Sequence, residues 1–232
     1  MTVLAVIPAR GGSKGIPRKN LLEVGGKPLI AWTIAQAKEA GDDVLVAVST
    51  EDAEIADTAR DCGAQVIDRP AKLAEDTTPT EPVMLHAMDW AEAAGHDLEA
   101  VMLLQATSPV RKPGTIRAAI DQFRAEGCDS LVGVLPESPF FWQPGKPGES
   151  ATAHYDWRHR PRRQDLTKDQ MFFFENGSLY VTAPHIYRET GNRIGGRISL
   201  YMLEEVEGVD IDTIADVAAA EQMLARIGWT LS

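Results

Sequence analysis

Hydrophobic and polar positions in residues 1–135 alternate between two kinds of segment. Short, almost continuously apolar runs predict buried parallel strands at residues 3–9, 43–49, 65–67, 100–105 and 130–135. The segments between them carry apolar residues at helical spacing and predict helices at residues 28–40, 51–62, 80–94 and 113–126, the last with Pro113 in its first turn. Because strands and helices alternate with short connections, we expect an α/β fold, a three-layer sandwich around a mostly parallel, Rossmann-like sheet.

The regular alternation stops near residue 136. Residues 136–175 are rich in proline, glycine and aromatic residues without a clear period, which favours an inserted excursion or an oligomerisation arm. The elements predicted around its end and beyond are two strands at 171–174 and 178–182 joined by the turn Glu175-Asn176-Gly177, a strand near 198–203 and a helix near 213–227. We therefore expect a single domain over residues 1–232 with one excursion.

Charge and composition restrict the class of ligand. The chain has 232 residues and carries 23 Lys and Arg against 34 Asp and Glu, a net charge of −11, which argues against nucleic-acid and membrane partners. Its two cysteines, Cys62 and Cys128, show no metal-binding spacing and suit a reducing compartment. No apolar run approaches the roughly 20 residues that span a bilayer. We expect a cytoplasmic protein whose basic patches are local and bind a small anion.

The main basic patch is the loop after the first strand, IPARGGSKGIPRKNLLEVGGKPL, residues 7–29. It is not a Walker A loop, because Gly26-Lys27 lacks the earlier glycine and is followed by Pro28. Its glycines also do not fit the dinucleotide fingerprint, and Pro17 prevents an immediate helix start. Glycines that allow close backbone approach, combined with Arg10, Lys14, Arg18 and Lys19, favour a triphosphate cradle over a merely solvated basic loop.

Six segments together resemble the CMP–sialic acid synthetases, the acylneuraminate cytidylyltransferases. They are RGGSKGIPRKN (10–20) followed by GGKPLI (25–30), GAQVIDRPAKLAEDTTPT (63–80), LLQATSPVR (103–111), RPRRQDL (160–166), ENGSLYV (175–181) and VDIDT (209–213). They keep the family's order and span nearly the whole chain. The resemblance implies a nucleotidyltransferase sheet of the GT-A-like kind, with the excursion acting as a dimerisation and substrate-binding arm in a homodimer or tetramer.

The resemblance also implies a reaction. The anomeric hydroxyl of a nine-carbon ulosonic acid attacks the α-phosphorus of CTP, assisted by Mg²⁺, and gives a CMP-sugar and pyrophosphate. An N-acylneuraminate is the expected acid. Legionaminate, pseudaminate, Kdn or a non-sugar acid or phosphonate stay open, because residues 167–169 and 172–174 depart from the commoner pattern. A nucleotide-binding protein without turnover is the contrasting possibility.

Site residues follow from the same resemblance. Arg10, Lys14 and Lys19 are expected to hold the phosphates. The residues expected to contact the nucleotide are Arg10, Gly11, Gly12, Ser13, Lys14, Asn20, Arg69, Thr77 and Thr80. Those expected near the sugar acid are Gln105, Ser108, Arg162 and Arg163. The two arginines are also expected to take part in catalysis, either in their own subunit or in the site of a partner subunit. Arg69 could instead be a surface residue, Thr77 could only shape its loop, and Arg111 could be a solvated charge.

Asp210 and Asp212 are the candidate ligands of Mg²⁺. Two residues apart on an extended segment, their carboxylates would face the same side and supply hard oxygen ligands. Asp212 or Thr213 could instead cap the last helix, with Asp216 in its first turn. The two roles are compatible.

Overall fold

The computed structural model describes residues 1–13 and 15–229. Its strands, in chain order, are Thr2–Pro8 (β1), Glu23–Val24 (β2), Lys27–Pro28 (β3), Val44–Thr50 (β4), Gln65–Asp68 (β5), Leu98–Leu104 (β6), Ser130–Glu137 (β7), Trp142–Gln143 (β8), Thr152–Ala153 (β9), Phe172–Thr182 (β10) and Ile198–Met202 (β11). Its α-helices are Leu29–Glu39 (α1), Ala53–Asp61 (α2), Thr80–Ala93 (α3), Thr115–Glu126 (α4), Pro184–Thr190 (α5) and Ile214–Arg226 (α6).

Seven strands form the central sheet in the order β11-β7-β10-β6-β1-β4-β5. All neighbouring pairs are parallel except the two made by β10, which runs antiparallel to β6 and β7. Helices α1, α2 and α4 pack on one face, and α3 and α5 on the other. The predicted α/β sandwich with a mostly parallel sheet is confirmed.

Burial on both faces explains why β1 reads as a continuous apolar run. Val3, Ala5 and Ile7 pack into the core under α1, whereas Leu4 and Val6 pack into the core under α3. All five side chains are fully buried, so none of these positions tolerates a polar residue. This strand places the loop that follows it at the carboxyl edge of the sheet.

The expected hairpin around Glu175-Asn176-Gly177 is wrong. Residues 172–182 form one strand, β10, whose register shifts between Glu175 and Tyr180. Those two residues pair with Val134 and Val132 of β7, so the chain accommodates extra residues as a bulge and continues in the same direction. The Asn176 side chain accepts a hydrogen bond from the Ser178 amide at 3.1 Å, and Gly177 has φ of +79°. The local turn chemistry is present, but pairing with β7 on both sides prevents a reversal.

Three smaller differences concern element ends. Helix α4 begins at Thr115, after Gly114 at φ of +81°, so Pro113 lies before the helix and not in its first turn. Gln105 follows β6 instead of ending it. The short helix α5 and the β2–β3 hairpin were not predicted from the sequence.

The predicted excursion partly belongs to the sheet, because β7 extends to Glu137 and β10 begins at Phe172. Between them lie the short hairpin β8–β9 and two 3₁₀ turns. Aromatic rings hold this segment together, with Tyr155 in edge-to-face contact with Phe140 and Trp142 at centroid distances of 5.1 and 5.9 Å. We call residues 138–171 the arm.

Helix α6 closes the fold over the first loop. Its residues Ala220 and Leu224 pack in a separate apolar cluster with Ile16, Trp32 and Ile211. This cluster brings the segment before α6 next to the basic loop after β1. Among the described helices, none combines the length and the apolar character needed to cross a membrane.

Candidate active site

The loops that follow β1, β5 and β6 meet at the carboxyl edge of the sheet, where open α/β folds bind their ligands. They enclose a cleft of about 410 Å³. Among the described residues that were predicted from the sequence, six line it, namely Arg10, Ser13, Lys19, Asn20, Arg69 and Thr80. The structure therefore brings together side chains that are as many as 70 positions apart in the sequence, counted from Arg10 to Thr80.

Arg10 and Asn20 are connected through the backbone of the basic loop. The Asn20 side-chain amide donates to the Arg10 carbonyl oxygen at 3.0 Å, and Asn20 is only 8% exposed. The Arg10 guanidinium lies 2.7 Å from the Asp76 carboxylate. Asn20 thus fixes the course of the loop, and Arg10 offers its charge to the cleft.

The glycine part of the loop lies against the start of α2. The Gly11 amide donates to the Glu51 carboxylate at 2.8 Å, and a Cβ at this position would collide with the Asp52 side chain. Gly12 is exposed, and Lys14 lies outside the described residues. Position 11 therefore requires glycine because the loop approaches the residues before α2 too closely for a side chain.

Arg18 takes the left-handed conformation with φ of 57°, which is uncommon for a residue with a side chain. Its guanidinium forms a fork with the Asp52 carboxylate and also reaches Glu54. The hydrogen bond to Asp52 raises the pKa of Arg18 and lowers that of Asp52. Arg18 anchors the loop to α2, and it does not line the cleft.

Lys19 connects the basic loop to the segment before α6. Its ammonium group donates to the Ile211 carbonyl oxygen at 2.8 Å and to the Asp212 carboxylate at 3.1 Å. Lys19 is a phosphate-binding candidate and Asp212 is a metal-binding candidate. Their direct contact shows that the two sets of candidates belong to the same site.

Arg69 is buried, so the alternative that it is a surface residue is wrong. Its Nε donates to the Ser49 hydroxyl at 3.1 Å, and a terminal nitrogen donates to the Ser49 carbonyl oxygen. Burial lowers the pKa of Arg69 to about 10, while the charge of Glu51 acts in the opposite direction. The side chain stays charged at neutral pH and is held rigidly at the wall of the cleft.

The two predicted threonines differ in position. Thr80 begins α3 and lines the cleft, whereas Thr77 is exposed and is not among the described residues that line it. Thr78 lines the cleft instead and donates to the Lys72 carbonyl oxygen at 3.0 Å. No residue type distinguishes Thr77 from Thr78 in the sequence, so the choice between them could not be predicted.

Gln105 and Ser108 lie in the loop after β6. The Ser108 hydroxyl is buried and donates to the Asp210 carboxylate at 3.3 Å. The Gln105 side-chain oxygen lies so close to the Cα of Gly177 that a Cβ there would collide with it. These contacts place the candidate sugar-binding residues between the irregular part of β10 and Asp210.

Asp210 and Asp212 flank a fully buried residue, Ile211, whose amide donates to the Thr107 carbonyl oxygen at 2.8 Å. Asp210 is half-buried and Asp212 is exposed. Thr213 forms a capping box with Asp216 at the start of α6. The Asp212 amide also donates to the Asp216 carboxylate, at 3.0 Å, but the Asp212 side chain takes no part in the cap. The capping alternative for Asp212 is therefore wrong, and the alternative for Thr213 is right.

The residues present fit a hard divalent cation. Within the described residues, no cluster of three or more His, Cys, Asp or Glu side chains forms a metal cage. Two carboxylates with hard oxygen donors next to a candidate phosphate site are the protein ligand set that Mg²⁺ uses when substrate phosphates complete its coordination. The side chain of Asp212 is 77% exposed, so its carboxylate is accessible to an ion.

Arg162 and Arg163 lie in the arm and are exposed. Arg162 forms a fork with Asp165, at 2.6 and 3.0 Å. Arg163 lines a different cavity, of about 570 Å³, together with Gly208 and Val209. The structure thus does not bring either arginine into the first cleft, but Arg163 shares the wall of this second cavity with the two residues that directly precede Asp210.

Arg111 is fully buried, so the alternative that it is a solvated surface charge is wrong. The buried carboxylate of Glu207 accepts from the Lys112 amide at 2.9 Å and the Thr115 hydroxyl at 2.6 Å. Sequence reasoning gave no role to Glu207, since a Glu in the run LEEVEG carries no signal of burial. Both residues belong to the scaffold behind Gln105 and Asp210.

Comparison with known proteins decides the family. The sequence profile of the cytidylyltransferases matches residues 4–221. The chain belongs to the cytidylyltransferase family. The segments that resemble the acylneuraminate enzymes all lie within the matched range.

Curated relatives carry several substrate names. N-acylneuraminate cytidylyltransferase A of Danio rerio is 33% identical over 230 residues, which cover 98% of this chain and 52% of the relative. CMP-N,N'-diacetyllegionaminic acid synthase of Legionella pneumophila is 34% identical over 233 residues and 97% of both chains. Pseudaminic acid cytidylyltransferase of Campylobacter jejuni is 30% identical over 224 residues, 95% of both. The chain spans about half the length of the fish relative and nearly all of the two bacterial ones.

Solved structures share the fold. A CMP:2-keto-3-deoxy-manno-octonic acid synthetase complexed with CTP superposes with a TM-score of 0.69 at 17% identity, over 97% of this chain and 99% of that one. A cytidylyltransferase of Leptospira borgpetersenii gives a TM-score of 0.57 at 15% identity, over 100% and 89%. At these identities the likeness concerns the arrangement of strands and helices.

Proposed function

We propose that the chain transfers CMP from CTP to the anomeric hydroxyl of a nine-carbon ulosonic acid, releasing pyrophosphate. The observation that carries this proposal is the contact of Lys19 with Asp212 at the edge of the cleft lined by Arg10 and Arg69. It joins a cationic loop to a pair of carboxylates, which is what a nucleoside triphosphate with a divalent cation requires. The names of the curated relatives support the nucleotide and the class of acid.

The residues of the cleft would act mainly by positioning and charge neutralisation, since transfer at phosphorus needs little covalent help from the protein. Arg10, Lys19 and Arg69 would bind the phosphate oxygens, with a phosphate replacing the Asp76 carboxylate at Arg10. Asn20 keeps the loop in place. Lys14 completes the set of cations in the sequence.

Asp210 and Asp212 would hold Mg²⁺, which, when bound, offsets negative charge on the phosphate oxygens. Ser108 keeps the Asp210 carboxylate oriented through its hydroxyl. Lys19 limits the movement of Asp212 and supplies a second positive charge beside it. The chain's own residues thus determine where the α-phosphate sits relative to the incoming hydroxyl.

The sugar acid would bind beside Gln105, at the far side of Asp210 from the basic loop. Arg163 would meet its carboxylate or a phosphate through a guanidinium fork, and Arg162 would support the arm through Asp165. An N-acylneuraminate is the leading substrate. The 34% identity to the legionaminic acid enzyme favours legionaminate as the second candidate.

The arm would form the contact between two copies in a homodimer, and the protein would work in the cytoplasm. Exposed aromatic side chains support an interface, since Phe141, Trp142 and Trp157 are each about half exposed, at 46%, 52% and 52%. Arg162 and Arg163 would then act in their own subunit or in the neighbouring one.

Pyrophosphate release tests the proposal. The chain is incubated with CTP, Mg²⁺ and, separately, N-acetylneuraminate, legionaminate, pseudaminate, Kdn and a phosphonate. We expect release with at least one ulosonic acid and none without an acid. CTP binding with no release for any acid would instead identify a nucleotide-binding protein without turnover.

A further inference from the structure

Arg111 carries a buried charge whose hydrogen bonds join three elements of the fold. The residue is 0% exposed. One terminal nitrogen donates to the Thr33 hydroxyl at 3.3 Å and to the Gln36 side-chain oxygen at 3.0 Å, both on α1. The other donates to the carbonyl oxygens of Gln105, at 3.0 Å, and Ser178, at 2.6 Å. A buried guanidinium without such partners would be strongly unfavourable.

The two carbonyl groups belong to the segments that form the candidate sugar site. Gln105 directly follows β6, and Ser178 lies in the irregular part of β10. The same two segments touch again through the Gln105 side-chain oxygen and Gly177, which leave no room for a Cβ. The guanidinium therefore bridges the backbones of both segments directly behind the Gln105 amide.

The charge of Arg111 has no directly bonded carboxylate among the described residues. Burial lowers the pKa of Arg111 to about 10, and the charges of Glu207 and Asp210 oppose that shift. The Glu207 carboxylate is itself occupied by Lys112 and Thr115. Arg111 stays protonated at neutral pH and is held by neutral oxygens. An apolar side chain would fill the space without the desolvation cost but could not bridge two carbonyl groups.

We propose that Arg111 is a positioning residue for the sugar acid, which orients the Gln105 amide by fixing its backbone against residues 176–178. This inference rests on the proposed function. Because Arg111 is fully buried, it acts through Gln105 and does not touch the substrate. The hydrogen bonds of Arg111 do not involve Arg10 or Lys19, which form the nucleotide side of the cleft.

The test is a double-mutant cycle between Arg111→Lys and Gln105→Ala. Lysine keeps the charge but cannot donate to both carbonyl groups in a fixed fork. We expect Arg111→Lys to raise the KM for the sugar acid about tenfold, less than the roughly hundredfold effect of a misplacement by about 1 Å, because lysine keeps the charge and part of the hydrogen bonding. The dissociation constant for CTP should stay within about twofold, and in the Gln105→Ala background the second substitution should add less than about twofold.

Lys112→Met is the matched control, since it removes the neighbouring cation, which pairs with Glu204 on the surface. Both substrate constants should be unchanged in this variant. Effects of Arg111→Lys and Gln105→Ala that multiply, or a parallel loss of CTP affinity, would overturn the proposal in favour of a general structural role.

A second variant covers the case in which Arg111→Lys fails to fold. Gln36→Leu removes one of the two α1 anchors of the guanidinium and the hydrogen bond from the Gln36 side-chain amide to the Pro109 carbonyl oxygen, so the fork to the two carbonyl groups loses its fixed position. It should raise the KM for the acid in the same direction by about threefold, with CTP affinity unchanged; an unchanged KM would overturn the proposal. If the wild-type chain is inactive with every acid, the proposed function is wrong. If the wild type is active and the variants keep its KM for the acid, the proposed function stands and the role of Arg111 is wrong.

Discussion

The ammonium group of Lys19 lies 3.1 Å from the Asp212 carboxylate and 2.8 Å from the Ile211 carbonyl oxygen, although Lys19 and Asp212 are 193 residues apart in the chain. This contact holds the loop after β1 against the segment before α6. It depends on the apolar cluster in which Ile16 and Ile211 pack together with α6. The phosphate-binding and metal-binding candidates are thereby placed at one edge of the sheet.

Substitution of Lys19 by methionine tests the cationic part of this edge. The variant loses a charge for the phosphates and the hydrogen bonds to residues 211 and 212. We expect the kcat/KM for CTP to fall about a hundredfold or more, as for the loss of one positioned donor at a developing charge. Steady-state kinetics with saturating acid measure it. Lys38→Met, an exposed lysine that contacts the Cys62 carbonyl oxygen, is the control and should keep full activity. Equal activities of the two variants would contradict the role of Lys19.

Two aspartates near the start of α6 should behave in opposite ways. Asp212→Asn should abolish turnover at ordinary Mg²⁺ concentrations and leave the melting temperature almost unchanged, because its side chain is exposed and the helix cap does not use it. Asp216→Asn should lower the melting temperature, because Asp216 accepts hydrogen bonds from the amide and hydroxyl of Thr213. It should keep the Mg²⁺ dependence. The reverse pattern would assign Asp212 to the scaffold.

Asp43 should make stability depend on acid pH. Hydrogen bonds from Arg117 and Arg124 lower its pKa from 3.8 to about 2 in the folded chain. A carboxyl with a lowered folded pKa contributes stability well above pH 3.8 and loses that contribution as the pH falls through about 2. Asp43→Asn should therefore melt at a lower temperature than the wild type near neutral pH. The difference in melting temperature should shrink as the pH is lowered toward 2.

The control for this prediction is Asp57→Asn. Asp57 pairs with Arg60 three residues later on α2, and its side chain is 74% exposed. Such exposed pairs contribute little, so this variant should melt like the wild type at every pH. A constant gap between wild type and Asp43→Asn down to pH 2 would show that the variant acts through packing.

The arm should carry the contact between two copies of the chain. Replacing Phe141 and Trp142 by serine removes two exposed aromatic side chains at the start of the hairpin β8–β9, of which Trp142 is the first residue. We expect a dimer for the wild type and a monomer for the double variant by sedimentation velocity, because aromatic anchors dominate such interfaces. Ile214→Ser, which changes an exposed apolar residue on α6, should stay dimeric. A monomeric wild type, or a dimeric double variant, would remove the arm from the interface.

The sheet could be predicted from the sequence because burial on both faces leaves a direct trace in each central strand. Val3, Leu4, Ala5, Val6 and Ile7 are all fully buried and all apolar. The path of β10 could not be predicted in the same way. Its Asn-Gly pair has the local chemistry of a hairpin turn, but the residues on both sides of it pair with the same neighbouring strand, β7, and not with each other. Such long-range pairing is invisible in a short window of sequence.

The candidate site was predictable at positions where the residue type itself limits the possible conformation or ligand. Glycine at position 11 and the cations of the loop limit what can bind there, and resemblance to the family linked them to Asp210 and Asp212. The burial of Arg111 was not predictable. It depends on partners on α1, after β6 and in β10, which lie between 6 and 78 positions away in the chain. An arginine after Ser108-Pro109-Val110 looks the same in sequence whether it is solvated or enclosed.

Transfer of CMP from CTP to an ulosonic acid is followed most directly by ³¹P NMR of one reaction mixture. The chain is mixed with CTP, Mg²⁺ and the acid that gives the fastest pyrophosphate release. We expect the three CTP signals to be replaced by one phosphodiester signal and by pyrophosphate, in equal amounts. Formation of CDP and inorganic phosphate, or of CMP and pyrophosphate without a phosphodiester signal, would contradict transfer of CMP to the acid.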